Sequence, residues 1–233
     1  MLKFNYNLFQ HSLVSKKQLI VVLLAGDLII FVFHLLFNQY QFFHFDFEQN
    51  LPTYYQSFKL IFFGLFFLAI SLKSFHNNIT KFFMLPLAMF LFLLGLDELL
   101  QIHENIYRIF TFVDWFHPSK IVAASMKMGY RSSLWILYYL PLLLLFVFWS
   151  GYWMNYFQSR LNNNFSLFML SFISFFTIII TEILSSTGTY SDAVYFLLVT
   201  IEETAEMLLA TFLILVGVQL LKFTQDSLHE TNN

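Results

Sequence analysis

Apolar residues along this chain fall into six long runs, separated by short polar breaks. The runs cover about residues 18–37, 58–72, 82–102, 134–154, 165–184 and 193–221. Each is near the ~20 residues that a tilted helix needs to cross a ~30 Å hydrocarbon core. None alternates with the period of two expected of a barrel strand. A bilayer admits only helices or closed barrels, because every backbone polar group must be satisfied internally. The pattern therefore predicts an all-α polytopic membrane protein, a single domain built as a bundle of six transmembrane helices. The second run is the shortest and its ends are the least defined. The longest connection, 105–132, mixes Trp115, Phe116 and Ile121 with Lys120 and Lys127, which suits an interfacial or re-entrant segment. The Phe-rich stretch QFFHFDFEQN, 41–50, is expected to lie on the membrane surface.

Composition supports this reading and removes several alternatives. The chain is 58% hydrophobic and 21% aromatic, with 33 Phe, far beyond what a soluble domain of this length needs. It has no cysteine, so disulfides, thiolate metal sites and thiol nucleophiles are excluded. No short apolar stretch followed by a small-residue cleavage site opens the chain, so the first run is read as an uncleaved span. Nothing in the near-neutral charge points to nucleic acid, and membrane lipid is the expected surrounding. Nothing in the sequence speaks to oligomeric state.

Lysine and arginine near the span ends set the expected orientation. Lys3, Lys16, Lys17, Lys73, Lys81, Arg160 and Lys222 fall on one side. Lys59, Arg108, Lys120, Lys127 and Arg131 fall on the other. Seven against five is a weak bias, and it places both termini in the cytoplasm.

Against this background the acidic residues stand out. Asp97, Glu98, His103 and Glu104 occur in LGLDELLQIHE, Glu182 in IIITEILSS, and Glu202, Glu203 and Glu206 in VTIEETAEMLLA. A charge at bilayer depth costs a few kcal/mol even on the lenient insertion scale. Concentrating so many in a chain that is 11% charged calls for a bound cation, shared protons or a polar cavity. The alternating direction of the spans brings the three clusters to one leaflet. Asp97, Gln101 and Glu104 share one helical face, and Glu202 and Glu206 share another. His103 lies on a different flank unless the helix unwinds near Ile102. Asp27, midway along the first run, follows Gly26, so a close helix contact is expected there. His34 reads as a core histidine, and His11, His44, His76, His117 and His229 as solvated. Ser185, Ser186, Thr187 and Gly188 form a turn that lends hydroxyls near Glu182.

One arginine, Arg131, cannot neutralise six carboxylates. A divalent cation would, and an oxygen-rich site with one imidazole suits Fe²⁺, Mn²⁺ or Zn²⁺. The expected metal ligands are Glu98, His103, Glu104, Glu182, Glu202 and Glu206. Asp97 and Glu203 are then the candidates for an outer supporting role or a general base. Bundle cores that hold two metals use Glu-x-x-His pairs, and this chain has none.

The runs LDELLQIHE, 96–104, and IEETAEML, 201–208, resemble a group of uncharacterised bacterial multi-span membrane proteins. Those proteins carry LDE-x4-HE in a middle helix and EE-x2-E in the last. The resemblance covers under a tenth of the chain and implies a bacterial inner-membrane location, but no reaction. The leading functional expectation is a metal-dependent membrane enzyme acting on a lipid or other apolar substrate. A different class is a proton- or cation-coupled transporter that uses the same carboxylates as a relay. A third is a structural or assembly subunit binding a partner helix.

Overall fold

The structure, a computed structural model, describes residues 16–47, 49–73, 78–103, 135–158, 165–187 and 190–230. These residues form six α-helices: α1 (Lys16–Phe37), α2 (Leu51–Lys73), α3 (Asn78–Leu100), α4 (Trp135–Gln158), α5 (Phe165–Thr187) and α6 (Asp192–Glu230). A 3₁₀ turn, Gln41–Phe43, lies between α1 and α2. The expected all-α architecture is therefore present. Five helices are long and apolar enough to cross a membrane, over Lys17–Phe37, Leu51–Leu72, Phe82–Leu100, Ser166–Ser185 and Asp192–Leu221. α4, 24 residues without a charged side chain, is not counted among these five over the described residues. The long connection 105–132 and the residues Tyr130 and Arg131 lie outside the described residues.

Two boundaries differ from the hydropathy pattern, each for a local reason. α2 starts at Leu51, seven residues before the expected 58. Asn50 caps it: its Oδ1 accepts the Thr53 N–H at 2.8 Å, a standard N-cap bond. The same side chain donates to the Phe47 and His44 carbonyls, which ties the preceding turn to the helix start. Lys59, expected in the loop on the far side, is consequently inside the bundle and only 4% exposed. α3 ends at Leu100, and Gln101 adopts a left-handed φ of 53° before Ile102 and His103 resume a helical turn. Asp97 and Gln101 therefore do not share one continuous helical face.

The bundle is organised around α6. α2 packs along α3 and α5 along α6, and α6 also touches α1, α2 and α3. α6 is the most buried of the five spans, with 67% of its apolar window enclosed. One hydrophobic core joins all six helices. Its α3–α4–α5 part is aromatic: Phe83 stacks on Trp149 at 5.0 Å and Phe90 on Phe146 at 4.5 Å, while Phe146 meets Phe175 at 5.2 Å. Large apolar side chains also cover the outside, such as Val21, Phe58, Phe82 and Ile173, which suits lipid and not water.

α2 and α3 approach closely because two glycines face the opposing backbone. A Cβ on Gly64 would lie 2.7 Å from the Phe92 nitrogen, and one on Gly95 would lie 2.9 Å from the Ile61 nitrogen. Small residues at such crossings let helix backbones pack in lipid, where apolar burial supplies little drive. Replacing either glycine with valine should cost about 1–3 kcal/mol through overpacking. Gly151→Ala should be near neutral, because nothing lies within 4 Å of its added methyl. Thermal melts of the three variants in one detergent check this, and equal losses at all three sites would contradict it.

Candidate functional site

α5 and α6 carry the densest acidic group. Helical spacing puts Glu202 and Glu206 one turn apart on α6, with Glu203 beside them. Across the α5–α6 interface, the Glu202 carboxyl comes within hydrogen-bonding reach of the Glu182 carboxyl. Glu182 is only 9% exposed. A carboxylate only accepts hydrogen bonds, so a bond between two carboxyl groups requires a proton on one of them. Several hydroxyls of these helices are satisfied locally. Thr181 donates to the Thr177 carbonyl at 2.8 Å, Thr204 to the Thr200 carbonyl at 2.7 Å, and Ser185 to the Glu182 carbonyl at 3.1 Å. Gly188 lies outside the described residues, so the hydroxyl-bearing turn expected at 185–188 is seen only in part.

Asp97 has other partners. Its Oδ2 contacts His103 Nδ1 at 3.0 Å, and its Oδ1 accepts from the Tyr139 hydroxyl at 2.8 Å. The break at Gln101 is what makes the first contact possible, since six helical residues would carry His103 to another flank. Glu98 is half-buried at the same end of α3. Glu104 lies outside the described residues. Among the described residues, no group of three or more His, Asp or Glu is placed to hold a metal ion.

A second charged centre, largely missed by sequence reasoning, sits between α1, α2 and α6. Lys59 Nζ donates to Asp27 Oδ1 at 2.7 Å, the Met207 carbonyl at 3.0 Å and Thr211 Oγ1 at 3.2 Å. Thr211 in turn donates to Asp27 Oδ2 at 2.6 Å, and Tyr55 donates to Asp27 Oδ1 at 2.9 Å. All three ammonium protons and both carboxylate oxygens thus have partners. Asp27 and Lys59 are 5% and 4% exposed, and Thr211 is fully enclosed. Gly26 makes the room: a Cβ there would lie 2.5 Å from the Tyr55 hydroxyl. The expected close contact at Gly26 and Asp27 is therefore real, and it serves an ion pair. One signal was available in the sequence: Tyr55 and Lys59 are four apart on one face of α2.

His34 is a core histidine, as its sequence context indicated, and is fully enclosed. Its Nδ1 accepts the Phe45 N–H at 3.2 Å, and its Nε2 lies 3.0 Å from Thr200 Oγ1. Thr200 uses its own proton on the Phe196 carbonyl at 2.7 Å, so His34 is the Nε2–H tautomer and donates to it. The ring stacks on Phe45 at 3.9 Å and on Phe196 at 5.0 Å. The segment after α1 is thereby folded inward onto α6. Phe45 is buried and His44 is half-buried, against the solvated histidine expected there, while Gln41, Phe42, Asp46 and Phe47 remain exposed.

Where this segment meets the start of α6 there is a half-open pocket of about 330 Å³, lined by His44, Asp46, Asp192, Tyr195, Phe196 and Val199. The Tyr195 hydroxyl donates to Asp46 Oδ1 at 2.9 Å. The same phenol lies within electrostatic reach of Glu202 and Glu182. Chemically, the carboxyl pair can hold and exchange a proton, while the Asp27–Lys59 centre can hold three helices in register.

The chain belongs to the family described as a domain of unknown function, DUF8692, whose family model matches residues 19–220. No curated protein and no solved structure matches it. Membership agrees with the expected kinship to an uncharacterised family. The two acidic motifs and the bacterial source rest on the sequence resemblance alone.

Breaking the buried ion pair tests its structural weight. Lys59→Met leaves Asp27 charged and enclosed, and should destabilise the protein by about 3–5 kcal/mol. The Asp27→Leu/Lys59→Met double variant should recover most of that loss, because no charge is left unpaired. Melts of the two single variants and the double variant measure the coupling. A double variant that melts as low as Lys59→Met would show that the pair's geometry matters less than this account requires.

Proposed function

We propose that this protein handles protons inside the membrane, as a proton-coupled transporter whose working groups are the carboxyls of α5 and α6. The observation that carries the reading is the approach of the Glu182 and Glu202 carboxyls to hydrogen-bonding reach across the α5–α6 interface, with Glu203 and Glu206 beside them. Two carboxyls that bond to each other share a proton, and intramembrane ionisable groups of this kind mark proton relays. Glu203 and Glu206, within a turn of Glu202, extend the relay along α6. Asp27 and Lys59 form a fixed internal charge that ties α1 and α2 to the same helix.

α4 is taken as the sixth span of this transporter. Its outer face presents Leu142, Leu145 and Phe148 at 59%, 65% and 73% exposure, one stripe at helical spacing. Six spans place both termini on one side, the cytoplasm by the lysine and arginine bias. With Lys59 moved into the bundle, that bias becomes seven against four. The bacterial inner membrane is the location that the sequence resemblance implies.

A metal-dependent enzyme acting on a lipid or other apolar substrate is the second reading, and one contact favours it. Asp97 holds His103 through Nδ1, the arrangement by which a carboxylate orients a ligating imidazole. An iron, manganese or zinc ion bound by His103 would need further ligands, with Glu98 and Glu104 the nearest in sequence.

Glu202→Gln separates the two readings. A Gln amide can donate to the Glu182 carboxylate, so under the transporter reading the variant should melt within about 1 kcal/mol of the parent. It should also lose proton uptake in reconstituted vesicles driven by an imposed potassium potential. Chelator should change neither protein. A parent that loses stability on chelation, with a stoichiometric metal by elemental analysis, would favour the enzyme instead. Proton uptake equal in the parent and Glu202→Gln would contradict the relay.

A further inference from the structure

The pocket at the start of α6 and the carboxyl pair lie on one continuous stripe of that helix. Asp192, Tyr195, Val199, Glu202 and Glu206 follow at intervals of three and four residues, the spacing of a single helical face. Asp192, Tyr195 and Val199 line the pocket, and Glu202 is the next residue along. Val199 is 8% exposed, so the pocket's inner wall is apolar and closed. Tyr195 belongs to both places. Its hydroxyl is held by Asp46 in the pocket wall, and it lies within electrostatic reach of both Glu182 and Glu202.

The wall opposite α6 is supplied by the segment that follows α1. That wall is held from beneath by His34, which binds the Phe45 backbone and stacks on its ring. Asn50 holds it from the other end, donating to the His44 and Phe47 carbonyls. A pocket with an imidazole and two carboxylates on its rim and valine at its base is polar outside and apolar inside. That grading fits a water-filled entrance that stops one helical turn short of the carboxyl pair.

We propose that this pocket is the aqueous mouth of the Glu182–Glu202 pair, and that the Tyr195–Asp46 hydrogen bond is the bar that holds its inner end, at Val199, shut. The proposal rests on the transporter reading for its purpose, but its geometry can be tested without it. Tyr195 acts here as a positioning residue. With the bond made, the phenol and the segment carrying Asp46 stay against α6 and cover Val199. With the bond broken, the segment is free to part from α6 along the pocket, and water reaches the stripe that leads to Glu202.

The chain contains no cysteine, so single cysteines can be introduced without background. Phe196→Cys reports the pocket and Val199→Cys reports its base. Each is reacted, in the full chain in vesicles, with a membrane-impermeant thiol reagent applied from either side. Phe196→Cys should react readily from one side only, and Val199→Cys slowly. Adding Tyr195→Phe or Asp46→Ala to Val199→Cys should speed its labelling about tenfold from that same side, the scale of one lost hydrogen bond to a charged group. Asp46→Asn keeps an acceptor for the phenol and should stay close to the parent rate. The Tyr195→Phe/Asp46→Ala pair should be no faster than either change alone, because both remove one bond.

A Phe196→Cys site that does not react from either side would overturn the aqueous mouth. A Val199→Cys rate unmoved by both Tyr195→Phe and Asp46→Ala would overturn the bar. Asp46 lies in an exposed segment, so Asp46→Ala serves as the folded alternative if Tyr195→Phe does not fold. Labelling reads access alone. If Glu202→Gln leaves proton uptake unchanged while the labelling pattern holds, the relay fails and the mouth stands.

Discussion

A charged or strongly polar group in the interior of this bundle needs its partner inside the protein, and α6 supplies a partner to three such centres. An unpaired polar group in hydrocarbon costs several kcal/mol, and an unpaired charge costs more. The structure answers this constraint with three paired centres. Asp27 and Lys59 neutralise each other on Thr211 and the Met207 carbonyl. The Glu202 and Glu182 carboxyls meet within hydrogen-bonding reach. His34 is satisfied by Thr200 and the Phe45 backbone. Every one of these centres uses a residue of α6. That helix is the most enclosed because it must reach them all.

The centres differ in what their chemistry permits. The ion pair is saturated: each donor proton of Lys59 has an acceptor and each oxygen of Asp27 a donor. A saturated pair fixes register and offers nothing for exchange. Two carboxyls at this distance can hold one proton between them, and under the proposed function that proton can leave. Under the proposed function, a saturated ion pair beside a labile carboxyl pair would let part of the bundle respond to protons while α1 and α2 stay attached. The turn after α1 joins this arrangement, since His34 anchors it and Tyr195, one helical turn before Val199 and Glu202, bonds to its Asp46.

Hydropathy made the helices legible, because lipid demands long apolar runs and five of the observed helices meet that demand. It mislaid the start of α2 because Asn50 caps the helix ahead of LPTYYQS, polar and aromatic residues of which Gln56 and Ser57 face the bundle rather than lipid. Lys59 was lost with that boundary, and with it the partner of Asp27. A hydropathy window averages around the helix and cannot distinguish a lysine facing water from one facing an aspartate. The acidic clusters of α5 and α6 were legible as a group, and Glu182 does meet Glu202. The phenols were not. Tyr55, Tyr139 and Tyr195 each donate to an aspartate, yet tyrosine is frequent at membrane interfaces and carries no signal there. The Asp97–His103 contact turned on a single backbone angle at Gln101. The sequence raised that break only as a condition.

The central claim is that Glu182 and Glu202 hold a proton between them inside the bundle. Infrared spectroscopy of the purified protein at neutral pH, in water and in deuterium oxide, reads it directly. The account predicts a protonated-carboxyl band with a deuterium shift, present in the parent and lost in both Glu182→Gln and Glu202→Gln. A parent spectrum with no such band, or a band that survives both substitutions, would contradict it.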